Sequence, residues 1–345
     1  VTATQTSPSA PPTSGSGESG GPLSRLSAQN TGLLLAWLLA VVMLVLYLVL
    51  FAARKSALPG NFELTSTVNN AVPLVFAALG QTFPVLTSGL DLSVGGVMDV
   101  SNSLAATQMG TGVGSILLWT VLILLFGAAT GLVNGLLVAY GRLQPILVTL
   151  GTLAILQGIA LKVLPQPGGT TPPLVTRTLS NPDAPYGLIL VAVACALWFV
   201  ARRTTFGMRI YAVGNDRAAA RARGIPVRRI LVLAYVTSGT FAAAAGLMLA
   251  ATTTGGDATS GDVFTLTSIA AVVIGGVSLF GGRGSGIGAI LGAFVLTLLI
   301  NVLFFASIDP LFEPFYEGVF LVLAAALTAL AGYWVRRRRI ERSQG

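Results

Sequence analysis

Long apolar runs, separated by short polar or glycine-rich stretches, dominate this chain. Ten of them reach or approach membrane-crossing length: roughly 33–53, 69–88, 92–109, 113–139, 145–164, 186–201, 227–251, 263–281, 286–306 and 315–335. The third and sixth are short, and Gly95-Gly96 loosens the third. The pattern predicts an all-α polytopic membrane protein with about ten transmembrane helices. One interruption differs from the rest: Gly214 to Arg229 is a basic, helix-compatible island that has to lie outside the hydrocarbon, where a soluble partner can grip the membrane part.

The flanks set the domain limits. Residues 1–32 are Ser/Thr/Pro/Gly-rich and cannot bury a core, so they are expected to form a disordered cytoplasmic tail. The run Leu33 to Ala53 is long for a signal-peptide core and is followed by Arg54-Lys55-Ser56 rather than a small-residue cleavage pattern, so it reads as a retained span. The transmembrane body is 33–335, and 336–345 is a basic cytoplasmic tail.

Composition agrees, with 54% hydrophobic and only 9% charged residues. The chain has no His and a single Cys, Cys195, which excludes a disulfide framework and a Cys/His zinc site. The net charge of +8 does not point to nucleic acid, because the basic residues cluster at the ends of apolar runs. With both termini cytoplasmic, all of the 20 Lys and Arg except Arg54, Lys55, Lys162 and Arg177 face inward. No nucleophile–base pair or metal set is visible, so an enzyme is not expected.

Three stretches carry candidate chemistry. In Thr87 to Gly96, a Gly/Ser/Asp turn puts irregular backbone near membrane depth, which is tolerated only inside protein or beside a cavity. Asp91 and Ser93 suit capping of the next helix, and solute contact is the other reading. Further along, Asp99, Asn102 and Ser103 form a polar stripe on one helical face. Asp99 fits a buried interhelical hydrogen bond, a hydroxylated solute, or a proton or cation carrier. The third stretch, Val273 to Gly288, holds Gly275, Gly276 and Ser278. It lacks the Gly-Lys-Ser/Thr of a phosphate loop and is expected to be a sharp turn, followed by the close-packing pair Gly288 and Gly292. Within the basic island, Gly214 and Gly224 bracket a two-turn helix from Asp216 to Arg223, whose charge order suits the helix dipole. Protein docking and binding to anionic lipid headgroups both fit it.

Three motifs in order resemble the membrane subunit of monosaccharide ABC importers, the ribose/xylose/galactose-type permeases of the branched-chain amino acid/ribose permease superfamily. Gly89-Leu-Asp-Leu-Ser-Val-Gly95 resembles that family's Gly-Ile-Asp-Leu-Ser-Val-Gly signature. Phe206 to Gly214, followed by Ala219-Ala220-Arg221 and Gly224-Ile225, is similar to its coupling segment, and Ala270 to Gly284 to its glycine-rich stretch. The likeness runs from about Asn69 to Leu330.

The resemblance implies ten helices per chain, a second permease chain around a central path, two cytoplasmic ATP-binding-cassette ATPase subunits and an extracytoplasmic sugar-binding protein. It implies no cofactor on this chain, since ATP belongs to the partner subunit. The coupling segment, 208–229, would seat Gly214, Asn215, Asp216, Arg217, Ala219, Ala220, Arg221, Gly224 and Ile225 on the ATPase, beside membrane lipid. Asp91, Ser93, Gly95, Asp99, Asn102, Asn134, Gly275, Gly276, Ser278 and Asn301 are the candidate path and motif residues. Two positions depart from the pattern: Ala218 stands where an acidic residue is usual, and Asp99 where a small apolar one is expected. The expected function is inward transport of a pentose or hexose. The alternatives are a nucleoside or branched-chain amino acid ABC permease, or an ion-coupled secondary transporter using Asp99.

Overall fold

The computed structural model describes residues 28–312 except 182, together with 315, 316, 318–320, 322, 323 and 326. Most of the expected 1–32 tail, the span 315–335 in large part and the tail 336–345 lie outside the described residues. Within them the chain forms α-helices and one isolated bridge, Gly168 to Gly256. In chain order the helices are α1 (Ala28–Lys55), α2 (Asn61–Leu86), α3 (Val94–Gln108), α4 (Val113–Ala139), α5 (Pro145–Val163), α6 (Pro173–Leu179), α7 (Tyr186–Arg203), α8 (Thr205–Asn215), α9 (Arg217–Ala222), α10 (Val227–Thr253), α11 (Asp262–Ile274) and α12 (Gly286–Phe305).

Among the described residues, six helices are long and apolar enough to cross a membrane: α1 from Gly32, α4, α5, α7, α10 and α12. Of the other expected spans, 69–88 falls in α2 and 92–109 in α3. The run 263–281 corresponds to α11, which stops at Ile274, where Gly275 and Gly276 begin a turn. Of these three helices α11 is apolar but only 13 residues long, whereas α2 and α3 line the interior: α2 is buried continuously from Ala71 to Leu86, and α3 from Val94 to Ser103. Side chains that face protein need not match lipid, so Gln81, Thr82, Asp99 and Asn102 are accommodated there. The outer helices α4, α5 and α7 instead carry rows of exposed leucine, valine and isoleucine.

Glycine spacing fixes how the helices cross. Gly127, Gly131 and Gly135 repeat every four residues along α4, and each leaves room for the α10 backbone at Gly239, Tyr235 or Val232. A Cβ at Gly239 would in turn strike Gly127 O. The pair Gly288 and Gly292 does the same for α12 against α11, at Gly275 and Ala271. At the far end, Tyr47, Phe51 and Phe305 join α1 to α12, with ring centroids 4.9 Å apart for Phe51 and Phe305.

Candidate functional site

The first candidate stretch turns back into the bundle. After α2 ends at Leu86, the chain reverses so that Asp91 lies beside Gln81. With its amide oriented to suit both partners, Gln81 donates to Asp91 O at 3.0 Å and accepts from Asp91 N at 3.2 Å. Five residues of helix correspond to about 7 Å, so the turn re-enters by about that depth. Ser93 occupies the N-cap position of α3 without a side-chain cap bond. The expected cap is replaced by a relay: Thr152 Oγ1 donates to Asn134 Oδ1 (2.6 Å), Asn134 Nδ2 to Ser93 Oγ (2.9 Å), and Ser93 Oγ to Asp91 Oδ1 (2.6 Å). The buried carboxylate is the strongest acceptor in reach and takes the hydroxyl that would otherwise cap the helix. Asp91 Oδ1 also accepts Ser93 N at 3.0 Å. One network thus ties the re-entrant turn to α4 and α5.

A second cluster surrounds the start of α11. Asp99 Oδ1 accepts the Gly261 N–H at 2.6 Å, and Gly95 packs on Gly261 and Thr265. Both α3 and α11 begin inside the bundle, so two short helices present their N-terminal ends near one place. Asn102 Oδ1 accepts Asp257 N at 2.8 Å, and Gln157 Nε2 donates to Asp262 Oδ1 at 2.5 Å. Four buried polar atoms here have no protein partner: Asp99 Oδ2, Asn102 Nδ2, Ser103 Oγ and Thr265 Oγ1. Together they offer the acceptors and donors that a hydroxylated molecule matches.

The basic island forms a third element, α8 and α9. Asp216 breaks the helix between them in an extended conformation and caps α9, accepting from Ala218 N (2.7 Å) and Ala219 N (3.0 Å). At the other end Gly224 has φ +76°, and Ile225 N donates to Ala220 O at 3.0 Å, a Schellman closure. Of the residues of α9, only Ala220 is buried.

This element meets the other two motifs at one junction. Arg217 Nη2 donates to Thr87 O at 2.9 Å. Ser88 Oγ donates to Phe280 O at 2.7 Å and lies 3.3 Å from Gly214 O. Gly282 N donates to Leu86 O at 2.9 Å. A Cβ at Gly214 would collide with Leu86 O, and one at Gly282 with Asn215 Oδ1. Ser278 shapes the α11–α12 turn by donating its N–H to Arg283 O at 3.0 Å, and Gly276 packs on Gly32 of α1.

The expected residues therefore separate into groups. Gly214, Asn215 and Arg217 join the end of α2 to the α11–α12 turn; Asp91, Ser93 and Asn134 share the relay; Gly95 and Asp99 surround Gly261, and Asn102 holds Asp257 N. Asn301 belongs to none of them, because its Nδ2 donates to Thr67 Oγ1 at 3.2 Å, between α12 and α2. Ser88, Thr152, Gln81 and Thr265 were missed by the sequence reading, since single hydroxyls and amides in apolar runs carry no spacing signal.

Residues 64–332 match the family model described as branched-chain amino acid transport system / permease component. The chain is 33% identical over 309 residues to the ribose import permease protein RbsC of Escherichia coli strain K12, covering 84% of this chain and 93% of that protein. It is 33% identical over 260 residues to the ribose import permease protein of Bacillus subtilis strain 168, covering 72% and 79%. It is 32% identical over 289 residues to the fructose import permease protein FrcC of Rhizobium meliloti, covering 80% and 79%. No solved structure matches the chain.

Proposed function

The chain belongs to the family of permease components of branched-chain amino acid transport systems and is a multi-pass membrane protein; from that membership we propose that it is the membrane-spanning subunit of an ATP-binding-cassette importer for a monosaccharide, a pentose or hexose. In this reading it works with a second permease chain, two cytoplasmic ATPase subunits and an extracytoplasmic sugar-binding protein. About ten spans place both termini and α8–α9 on the cytoplasmic side. The chain binds no cofactor and catalyses no reaction, because ATP is hydrolysed by its partner.

The observation that carries the proposal is the junction at Gly214. The helix α9 is exposed on nearly every residue, yet Arg217 bonds it to Thr87 O just after α2; there Ser88 meets Gly214 O of α8 and Phe280 O of the α11–α12 turn. An ATPase gripping Arg217 to Ile225 would move the re-entrant turn at 87–93 and the α11–α12 turn together. Those two segments lead to α3 and α11, which hold the unpartnered polar atoms. Alternating access then follows from tilting short helices against glycine-lined contacts.

A monosaccharide fits this cluster better than an amino acid. Asp99, Asn102, Ser103 and Thr265 present donors and acceptors with no Lys or Arg among them to hold an α-carboxylate. The relatives named for ribose and fructose support the same choice.

The test is reconstitution of the full chain with its ATPase subunit and binding protein in vesicles. Uptake of radiolabelled ribose and other monosaccharides should need ATP and survive collapse of proton and sodium gradients. An Ala219→Glu variant, altered on the exposed face of α9, should fold but no longer capture the ATPase. Uptake that stops with the gradients would sink the reading, and so would unchanged capture.

A further inference from the structure

A cavity of about 840 Å³ opens beside the junction, sharing one wall, Arg217, Arg221 and Ile225, with the segment assigned above to the ATPase. Its walls come from the end of α4 (Val138, Tyr140), the turn that follows (Arg142, Leu143, Pro145), α9 and the first residues of α10. Five arginines line it: Arg142, Arg217, Arg221, Arg228 and Arg229. No acidic residue does. The Arg228 guanidinium carbon lies 5.3 Å from the centre of the Tyr140 ring, which links α10 to α4 across the opening.

Apolar surface continues from the same opening. Leu143 is 51% exposed, and Leu136, Leu137, Leu147 and Leu233 are also exposed on α4, α5 and α10. A cationic pocket beside an apolar wall at the end of membrane-length helices matches a phosphate headgroup with attached acyl chains. A soluble anion would use the arginines and leave the leucines without a role. A protein surface would have to cover both.

We propose that this cavity holds the phosphodiester headgroup of an anionic phospholipid, with the acyl chains lying on the leucines of α4 and α5. Because Arg217 also bonds Thr87 O, an occupied cavity braces α9 on the end of α2. The site is independent of which solute the protein carries.

The experiment uses the purified full chain in detergent, with binding followed by native mass spectrometry and by melting temperature. The probes are phosphatidylglycerol, phosphatidylcholine with the same acyl chains, and inorganic phosphate. Phosphatidylglycerol should be retained and raise the melting temperature, whereas phosphatidylcholine and phosphate should do neither. Changing Arg142, Arg228 and Arg229 to Gln should weaken retention by about a hundredfold, at roughly fivefold per charge. Arg203→Gln, an exposed arginine outside the cavity, should leave retention unchanged. All three altered arginines are exposed, so the fold should survive; if the triple variant fails to fold, Arg228→Gln alone carries the test. Equal retention of both lipids, or of phosphatidylglycerol by wild type and variant, overturns the proposal. Displacement of lipid by inorganic phosphate would make it a soluble-anion site. Loss of ATPase capture with lipid retention intact would make it a protein-docking surface, and either outcome also overturns the proposal.

Discussion

Asp99 and Gly261 are 162 residues apart in sequence and joined by one 2.6 Å hydrogen bond, carboxylate to backbone N–H, at the head of α11. The bond gives Asp99 a structural task whatever else it does: it satisfies a buried donor at a helix N-terminus. Asp99→Asn keeps an acceptor there and should retain both fold and sugar uptake, with or without ion gradients. Asp99→Leu leaves the Gly261 N–H unpaired and should cost about 1–3 kcal/mol of stability, read as a lower melting temperature of the solubilised chain. A folded Asn variant that has lost uptake would instead assign the charge a part in transport.

Gly214 lies against Leu86 O so closely that no side chain fits. Gly214→Ala should separate α8 from the end of α2 at a cost of about 1–3 kcal/mol, the usual range for overpacking. The expected result is a measurable drop in melting temperature and weaker stimulation of the partner's ATP hydrolysis. A variant with wild-type melting and wild-type stimulation would show that the contact is not needed.

Ser88 and Arg217 connect exposed segments at the junction rather than holding up the core. Ser88→Ala and Arg217→Ala each remove a side-chain bond to a main-chain carbonyl, worth about 1 kcal/mol for the hydroxyl and up to roughly 3 for the guanidinium. ATPase capture should persist through the rest of α9, while sugar transported per ATP hydrolysed falls. Equal losses of capture and transport would reduce the junction to a docking contact.

The relay from Thr152 to Asp91 runs through both ends of the Asn134 amide. Asn134→Leu removes two bonds of the relay, while Ser93 Oγ still donates to Asp91 Oδ1 and Thr152 Oγ1 to Val148 O at 3.0 Å; the loss should destabilise the chain by about 1 kcal/mol per bond. Asn134→Gln, longer by one methylene, should recover only part of that. Thermal unfolding of the two variants beside wild type measures the difference.

Much of this organisation is legible in the residues. Apolar run length locates the long helices, and Asp216, Gly224 and Pro226 bound α9 to within one residue of the expected Asp216 to Arg223. The four-residue spacing of Gly288 and Gly292 correctly marks a tight crossing, and Gly127, Gly131 and Gly135 carry the same signal, unread. What hydropathy does not encode is depth. Window 263–281 looks like a full span and 92–109 like a short one, yet both fold as short helices that begin inside the bundle, because a glycine-bearing turn at membrane depth is stable once its amides find Gln81 or Asp99. Nor does a run of letters reveal that Thr87, Gly214 and Phe280, far apart in sequence, share one junction.

The atoms that receive bonds at that junction are mostly main-chain carbonyls: Leu86 O, Thr87 O, Gly214 O and Phe280 O. Such a joint constrains Ser88, Arg217, and Gly214 and Gly282, which have no room for a side chain, and leaves the outward residues of α9 outside it. On the coupling role proposed above, the outward residues of α9 can be rewritten to suit a different engine while the route from α9 to the short helices stays intact. In a subunit of this design, the choice of motor and the choice of cargo are separable inheritances.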